Sequence, residues 1–441
     1  MSDAAQPWLR DDTPTKHRIV RVIFFLASFS WSIHSIQDYS QSTPVEKLLT
    51  RMLPMMIVAV YVFTCEHRDR IKAIFHPSFR PLLWYLIIGI LCGFTGYQPA
   101  LTLWKGAEIF ITLAWLFVSC RDADSTKREL VAFTWLFEVM IWATIVLALI
   151  NPSRGFIPSY TFLPWIHGYL PLINPNGVGF ICVWVLVRLL FLPAKNKPIR
   201  LAIASLTLLC AQSRTSYAVV LCALVIFIID GLRTRQLMRV TIASFFALIG
   251  LALAFGWLDV IIKVVARGEN TEDLQSLSGR TNYWSFAFQY VSWFGNGLAT
   301  GSRELIFMGG GDVFRSGLVG LHNSYLEALM GAGYIGGIPF IVLLLVNTIR
   351  QGLHSIQKPD PIESIFLVYT AAFIARGMTS ISLALFSSDF ILFMMFYVWL
   401  YTRQFSSEPK PVYERPKPRA YEKTLREIEK ESEKITCQST H

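Results

Sequence analysis

Three short groups in this 441-residue chain have residue types suited to chemistry: Ser213-Arg214, Gly279-Arg280 with Trp284, and His322-Asn323-Ser324-Tyr325. Imidazole titrates near neutral pH, so His322 can take a proton from a hydroxyl nucleophile. A guanidinium presents a planar fork of donors that matches phosphate or carboxylate oxygens in pairs. Gly279 permits a sharp turn or a helix start before Arg280, where free backbone N–H groups suit phosphate. Each group also has a plainer reading. A single Arg at a helix end snorkels to the interface, Arg280 can anchor on lipid phosphate, and a lone His is often simply packed or solvated.

Composition decides what must position these groups. The chain is 53% hydrophobic and 16% charged, with a mean hydropathy of +0.45. A soluble protein of this size has too little interior for so much apolar surface, so an all-α polytopic membrane protein is expected. The net charge of +10 then reads as the cytoplasmic excess of Lys and Arg rather than as nucleic-acid binding. Of seven cysteines, Cys92, Cys182, Cys210 and Cys222 sit in apolar runs, and no zinc spacing or disulfide framework is visible. No small-residue cleavage site follows the first apolar run, so no cleavable leader is expected.

Twelve runs are candidate spans: 19–36, 48–65, 81–96, 101–120, 130–150, 174–193, 199–213, 215–232, 239–258, 324–348, 362–385 and 388–402. The polar cluster from Gln212 to Ser216 splits two of them and predicts a tight turn. Placing the N-terminus in the cytoplasm puts the basic segments inside, among them Arg68 to Arg80, Arg121 to Arg128 and Lys195 to Arg200. Both termini are then cytoplasmic, and Arg214, Arg280 and His322 share the outer face. Residues 1–402 form the membrane domain, with a polar outer loop over 259–322. Residues 403–441, rich in Pro, Lys and Glu, read as a largely disordered cytoplasmic tail.

Within the outer loop, Tyr283–Phe294 reads as an amphipathic helix lying on the membrane. Gly295-Asn296-Gly297 and Gly309-Gly310-Gly311 are flexible-loop signals. Asn323 and Ser324 suit an N-cap for the next span, and Tyr325 can present its hydroxyl at the interface. Glu327, Asp312 or Asp389 could orient the imidazole, and the sequence does not choose among them. Asn176 begins the sixth span as part of a turn and cap. Lys105 and Glu108, at i and i+3, can pair inside the fourth span. Arg188 needs only to snorkel from the inner end of the sixth.

Ser213-Arg214, Gly279-Arg280 with Trp284, His322-Asn323-Ser324-Tyr325 and the Gly331/Gly333/Gly336/Gly337 run together resemble the O-antigen ligase and polymerase superfamily, most closely its bacterial ligases. The resemblance covers most of the membrane part and excludes the tail after Arg403. It implies a GT-C-type fold of about twelve spans, with a helical periplasmic loop between spans 9 and 10. It implies an inner-membrane enzyme of a Gram-negative bacterium. That enzyme transfers a glycan from undecaprenyl pyrophosphate to a sugar hydroxyl of lipid A–core, with inversion and without a metal or cofactor. Carried over, Arg214 and Arg280 bind the donor pyrophosphate and His322 is the base or an activator of the acceptor. Ser213, Trp284, Asn323, Tyr325, Asn176, Lys105 and Asp389 are supporting candidates. The rivals are an O-antigen polymerase, a protein O-oligosaccharyltransferase and, from another class, a solute transporter. The oligomeric state is not legible.

Overall fold

A computed structural model describes residues 14–28, 48–96, 98–157, 164–169, 172–173, 175–233, 280–308, 321–357, 361–380 and 383–406. The candidate span 239–258, Asp312, the glycines at 309–311 and the tail beyond 406 lie outside them.

The described chain is helical, with two short ribbons on one connection. Its helices are α1 Thr15–Ala27, α2 Leu53–Thr64, α3 Arg80–Gly93, α4 Pro99–Ser119, α5 Ala123–Ile150 and the single turn α6 Pro152–Gly155. Then come α7 Pro175–Phe191, α8 Lys197–Ala211, α9 Arg214–Arg233, α10 Arg280–Gln289 and α11 Gly301–Met308. The last three are α12 Ser324–Gln357, α13 Pro361–Gly377 and α14 Ser388–Ser406. Between α6 and α7, β1 Phe156–Ile157 pairs antiparallel with β2 Trp165–Ile166, and β3 Gly168–Tyr169 with β4 Leu172–Ile173.

The helix starts follow local chemistry. Pro sits in the first turn of α2, α4, α7, α8 and α13, where its missing N–H costs nothing. Asp122 opens α5 with a capping box: its carboxylate accepts from Ser125 N at 2.7 Å, and Asp122 N donates back to Ser125 Oγ at 2.9 Å. The split between runs 199–213 and 215–232 is real. Gln212, in the left-handed region at φ 47°, and Ser213 separate α8 from α9.

Four described helices are long and apolar enough to cross a membrane: Pro99–Ser119, Ala123–Ile150, Arg214–Leu232 and Ser324–Ser355. A fifth is added if 3₁₀ turns over Arg68–Phe75 and the helix Pro77–Gly93, bent by 64°, make one span. Others are shorter than the sequence suggests. The run 362–385 is helical only to Gly377, and beyond it Ser380 and Leu383 hydrogen-bond to Ser324. The last helix instead continues to Ser406, past the expected end at 402.

α7 is the hub, packing on α5, α8, α9 and α13, while α4 packs on α2, α3 and α14. The core between α7, α13 and α14 is aromatic: Trp184, Tyr369, Phe366 and Trp399 are all nearly inaccessible. Tyr369 donates its hydroxyl to Trp184 O at 2.7 Å, which satisfies a polar tip in an apolar layer. Arg188 does not snorkel. It is buried and pairs with Glu138 at 2.5 Å, and Arg200 pairs with the same carboxylate.

α12 is broken at Gly333, whose backbone sits at φ 64° and ψ −173°. The segment 292–297 lies in the break. Tyr334 N and Ile335 N donate to Ser292 O and Trp293 O at 3.0 and 3.3 Å, while Asn296 N and Gly297 N donate to Met330 O and Gly331 O at 2.9 and 3.0 Å. The segment thus restores the hydrogen bonds that the break removes. Gly295-Asn296-Gly297 is therefore a fitted strut and not a loose loop. Its glycines permit close backbone approach: a Cβ on Gly295 would stand 2.3 Å from Gly331 O, and one on Gly333 2.3 Å from Trp293 O.

Candidate functional site

His322 precedes α12 by two residues. Asn323 caps the helix as its residue type predicts, Oδ1 accepting from Tyr325 N and Leu326 N at 3.0 Å each. His322 itself is half-buried and in the left-handed region at φ 50°. Ser324 Oγ donates to Ser380 O and accepts from Leu383 N at 3.1 Å, which ties the α13–α14 connection to the same turn. Tyr325 does not present its hydroxyl at an interface. It donates to Ile374 O at 2.8 Å and packs against Gly377, because α13 lies over that face of α12.

Arg280 is the first residue of α10. One turn later, Trp284 Nε1 donates to Leu321 O at 2.9 Å, the carbonyl immediately before His322. Tyr283, Trp284 and Phe286 pack on a cluster of Leu305, Leu321, Leu326 and Met330. The helix is thus shorter than the predicted Tyr283–Phe294, and its aromatic face covers α11 and α12 rather than lying free on the membrane. Beyond its end, with Trp293 and Phe294 exposed, the chain becomes the strut in the α12 break.

Arg214 opens α9. The turn before it is held from outside the bundle, since Trp165 Nε1 on β2 donates to Gln212 Oε1 at 2.6 Å. Ser213 is buried and accepts from Ser216 Oγ at 2.8 Å. Both serines lie against Gly179 of α7, where a Cβ would stand 2.6 Å from Ser213 Cβ. Asn176 is exposed in the first turn of α7.

Arg376, on the last turn of α13, links these ends. Its guanidinium lies 3.5 Å above the Phe180 ring of α7 and pairs with Asp389 on the first turn of α14 at 2.8 Å. One end of the bundle therefore gathers the starts of α7, α9, α12 and α14. Each helix start carries a partial positive charge. Neither described carboxylate candidate is committed to His322: Asp389 is bound by Arg376, and Glu327 accepts from Ser302 Oγ at 2.6 Å.

Lys105 pairs with Glu108 at 2.8 Å, as their spacing predicts, and the pair has further members. Arg51 binds Glu108 at 2.6 Å and donates to Phe386 O at 3.0 Å, and Trp104 Nε1 donates to Glu108 at 2.8 Å. Arg51, Arg303 and Arg376 are the residues that sequence reasoning missed. A guanidinium inside an apolar run was the available signal for Arg51 and Arg376. Nothing marked Arg303, since its neighbours read as loop. Burial holds the Arg303 guanidinium below its ordinary value; Glu327 opposes this and Arg51 adds to it. Among the described residues, no group of three or more His, Cys, Asp or Glu is gathered.

Residues 199–341 match a family model described as O-antigen ligase. The match spans α8, α9, α10, α11 and the start of α12, and so contains Arg214, Arg280 and His322. No curated protein and no solved structure matches the chain.

Proposed function

We propose, from the match of residues 199–341 to the O-antigen ligase family model, that the protein is a member of that family and an inverting glycosyltransferase of the periplasmic face of the inner membrane. It moves a glycan from undecaprenyl pyrophosphate to a sugar hydroxyl of lipid A–core. The observation that carries this reading is the Trp284–Leu321 hydrogen bond. It ties the helix that Arg280 opens to the residue next to His322, which supports reading an anion-binding group and a base as one unit.

In this reading His322 takes the proton of the acceptor hydroxyl as its oxygen attacks the anomeric carbon. The bond to the pyrophosphate oxygen breaks on the opposite side, and negative charge grows on the leaving group. Arg214 and Arg280 stabilise that charge with charge-assisted hydrogen bonds, supported by the helix starts gathered at this end. Ser213, Asn176 and Trp284 position the donor side. Loss of one such donor is expected to lower kcat about 10²–10³-fold.

The test is transfer by purified protein from the lipid-linked glycan to lipid A–core in the presence of EDTA. Transfer by the wild type, with loss in His322→Ala, Arg214→Ala and Arg280→Ala, is expected. Full activity of the His322 variant overturns the base, and inhibition by EDTA overturns the metal-free chemistry. Growth of the lipid-linked glycan alone would make the protein a polymerase.

A further inference from the structure

We propose that Arg51, Lys105 and Arg303 form a second anion-binding subsite, beside the first turn of α12, for a phosphate carried by the lipid-anchored acceptor; this rests on the glycosyl-transfer reading above.

Two elements bring the cations together in register. Thr102 Oγ1 of α4 and Thr300 Oγ1, one residue before α11, lie 3.0 Å apart in a hydrogen bond. Lys105 and Arg303 are each three residues further on, one helical turn in from that bond. Arg51 joins them through Glu108, and Arg303 lies within electrostatic reach of Arg51, Lys105 and Glu327.

The charges do not balance. Among the described residues, three cations face two carboxylates, Glu108 and Glu327. Glu108 is fully buried and already shared by Arg51, Lys105 and Trp104. Glu327 commits one oxygen to Ser302, and its other oxygen, also buried, has no hydrogen bond among the described residues. Among those residues the Arg303 guanidinium makes no hydrogen bond or ion pair within reach. A partly buried cation left in this state is unfavourable, because burial penalises its charged form. An anion seated between Arg303 and Lys105 removes that cost, and the Arg fork suits a phosphate.

The position selects the acceptor. Arg214 lies on α9, which packs on α7 and α13, whereas Lys105 lies on α4, which packs on α2, α3 and α14. The two cation groups therefore belong to different helix sets. An inverting displacement needs its nucleophile and its leaving group on opposite faces of the reacting carbon. Cations for the leaving pyrophosphate and cations for an acidic acceptor must then be separate.

The experiment uses full-length protein in lipid nanodiscs, with lipid A–core that is either phosphorylated or phosphatase-treated. Binding of each form is measured without donor, and initial rates are measured with it. Phosphorylated lipid A–core is expected to bind the wild type and His322→Ala equally. Arg303→Ala should weaken it about tenfold or more, the scale of one hydrogen bond to a charged group. That variant should raise the acceptor KM by the same factor and leave the donor KM unchanged. Arg303→Lys should recover part of the loss, and dephosphorylated acceptor should erase the difference. Unchanged binding in Arg303→Ala, an equal loss with both acceptors, or a raised donor KM each overturns the subsite. Phosphate-dependent binding without any transfer by the wild type would instead sink the ligase reading and leave the subsite standing.

Discussion

At the scale of single residues, His322 is held by its neighbours more than by its own side chain. Asn323 caps α12, and Leu321 is fixed through Trp284. Asn323→Ala should cost about 1 kcal/mol of stability, the usual worth of an N-cap, whereas Asn323→Asp should keep most of it. Thermal unfolding in detergent reads the difference, and equal midpoints for all three proteins would refute the cap. Trp284→Phe removes the donor and keeps a smaller aromatic ring in its place. A loss of about 0.5–1.5 kcal/mol of stability is expected from the missing hydrogen bond, together with a drop in kcat measured at a temperature where the variant is still folded. The cap was legible because Asn before an apolar run has a local meaning. The Trp284 bond was not, since Trp284 and Leu321 are far apart in sequence and only the fold of α10 onto α12 brings them together.

At the scale of elements, the break in α12 and the strut that fills it form one device. Gly333→Ala forces a side chain into a positive φ and against Trp293 O. A cost of about 1–3 kcal/mol is expected. Gly295→Ala should act alike, because its Cβ meets the other side of the same joint. Protease protection and thermal midpoint in detergent check both, and a wild-type midpoint for Gly333→Ala would mean that the break is not required. A second joint makes a pH prediction. His67 lies between α2 and the 3₁₀ turns, and Arg121 Nη1, between α4 and α5, donates to its Nε2 at 2.6 Å. Burial, then Arg121 and Arg70, hold His67 below the usual imidazole range. The unfolded chain therefore binds the proton first as pH falls below about 6.5, so this joint's stability is present above that pH and declines beneath it. His67→Gln should flatten the fall of the thermal midpoint between about pH 7 and pH 5. An unaltered slope would exclude His67 as its source.

At the scale of the whole molecule, buried ion pairs fasten helices that have no hydrophobic drive to separate them from lipid. Glu138 joins α5 to α7 and α8 through Arg188 and Arg200. Glu138→Ala leaves two guanidiniums without that partner and should destabilise by about 3–5 kcal/mol, with Glu138→Gln between. The monodisperse fraction after detergent extraction reads this, and an undiminished yield for the alanine variant would contradict it. The same scale divides what one dimension of information contains from what three add. Apolar runs, Pro at helix starts and the polar turn at Gln212 each depend on neighbours in the chain, so helical class, most helix starts and the α8–α9 split were readable directly. So was the Lys105–Glu108 pair, because i and i+3 positions share a helix face. Arg51 and Arg303 beside that pair, Arg376 over Phe180, and the strut in α12 join residues from separate helices. Their contacts depend on how helices pack and on which buried charges find partners, and only the tertiary structure decides that.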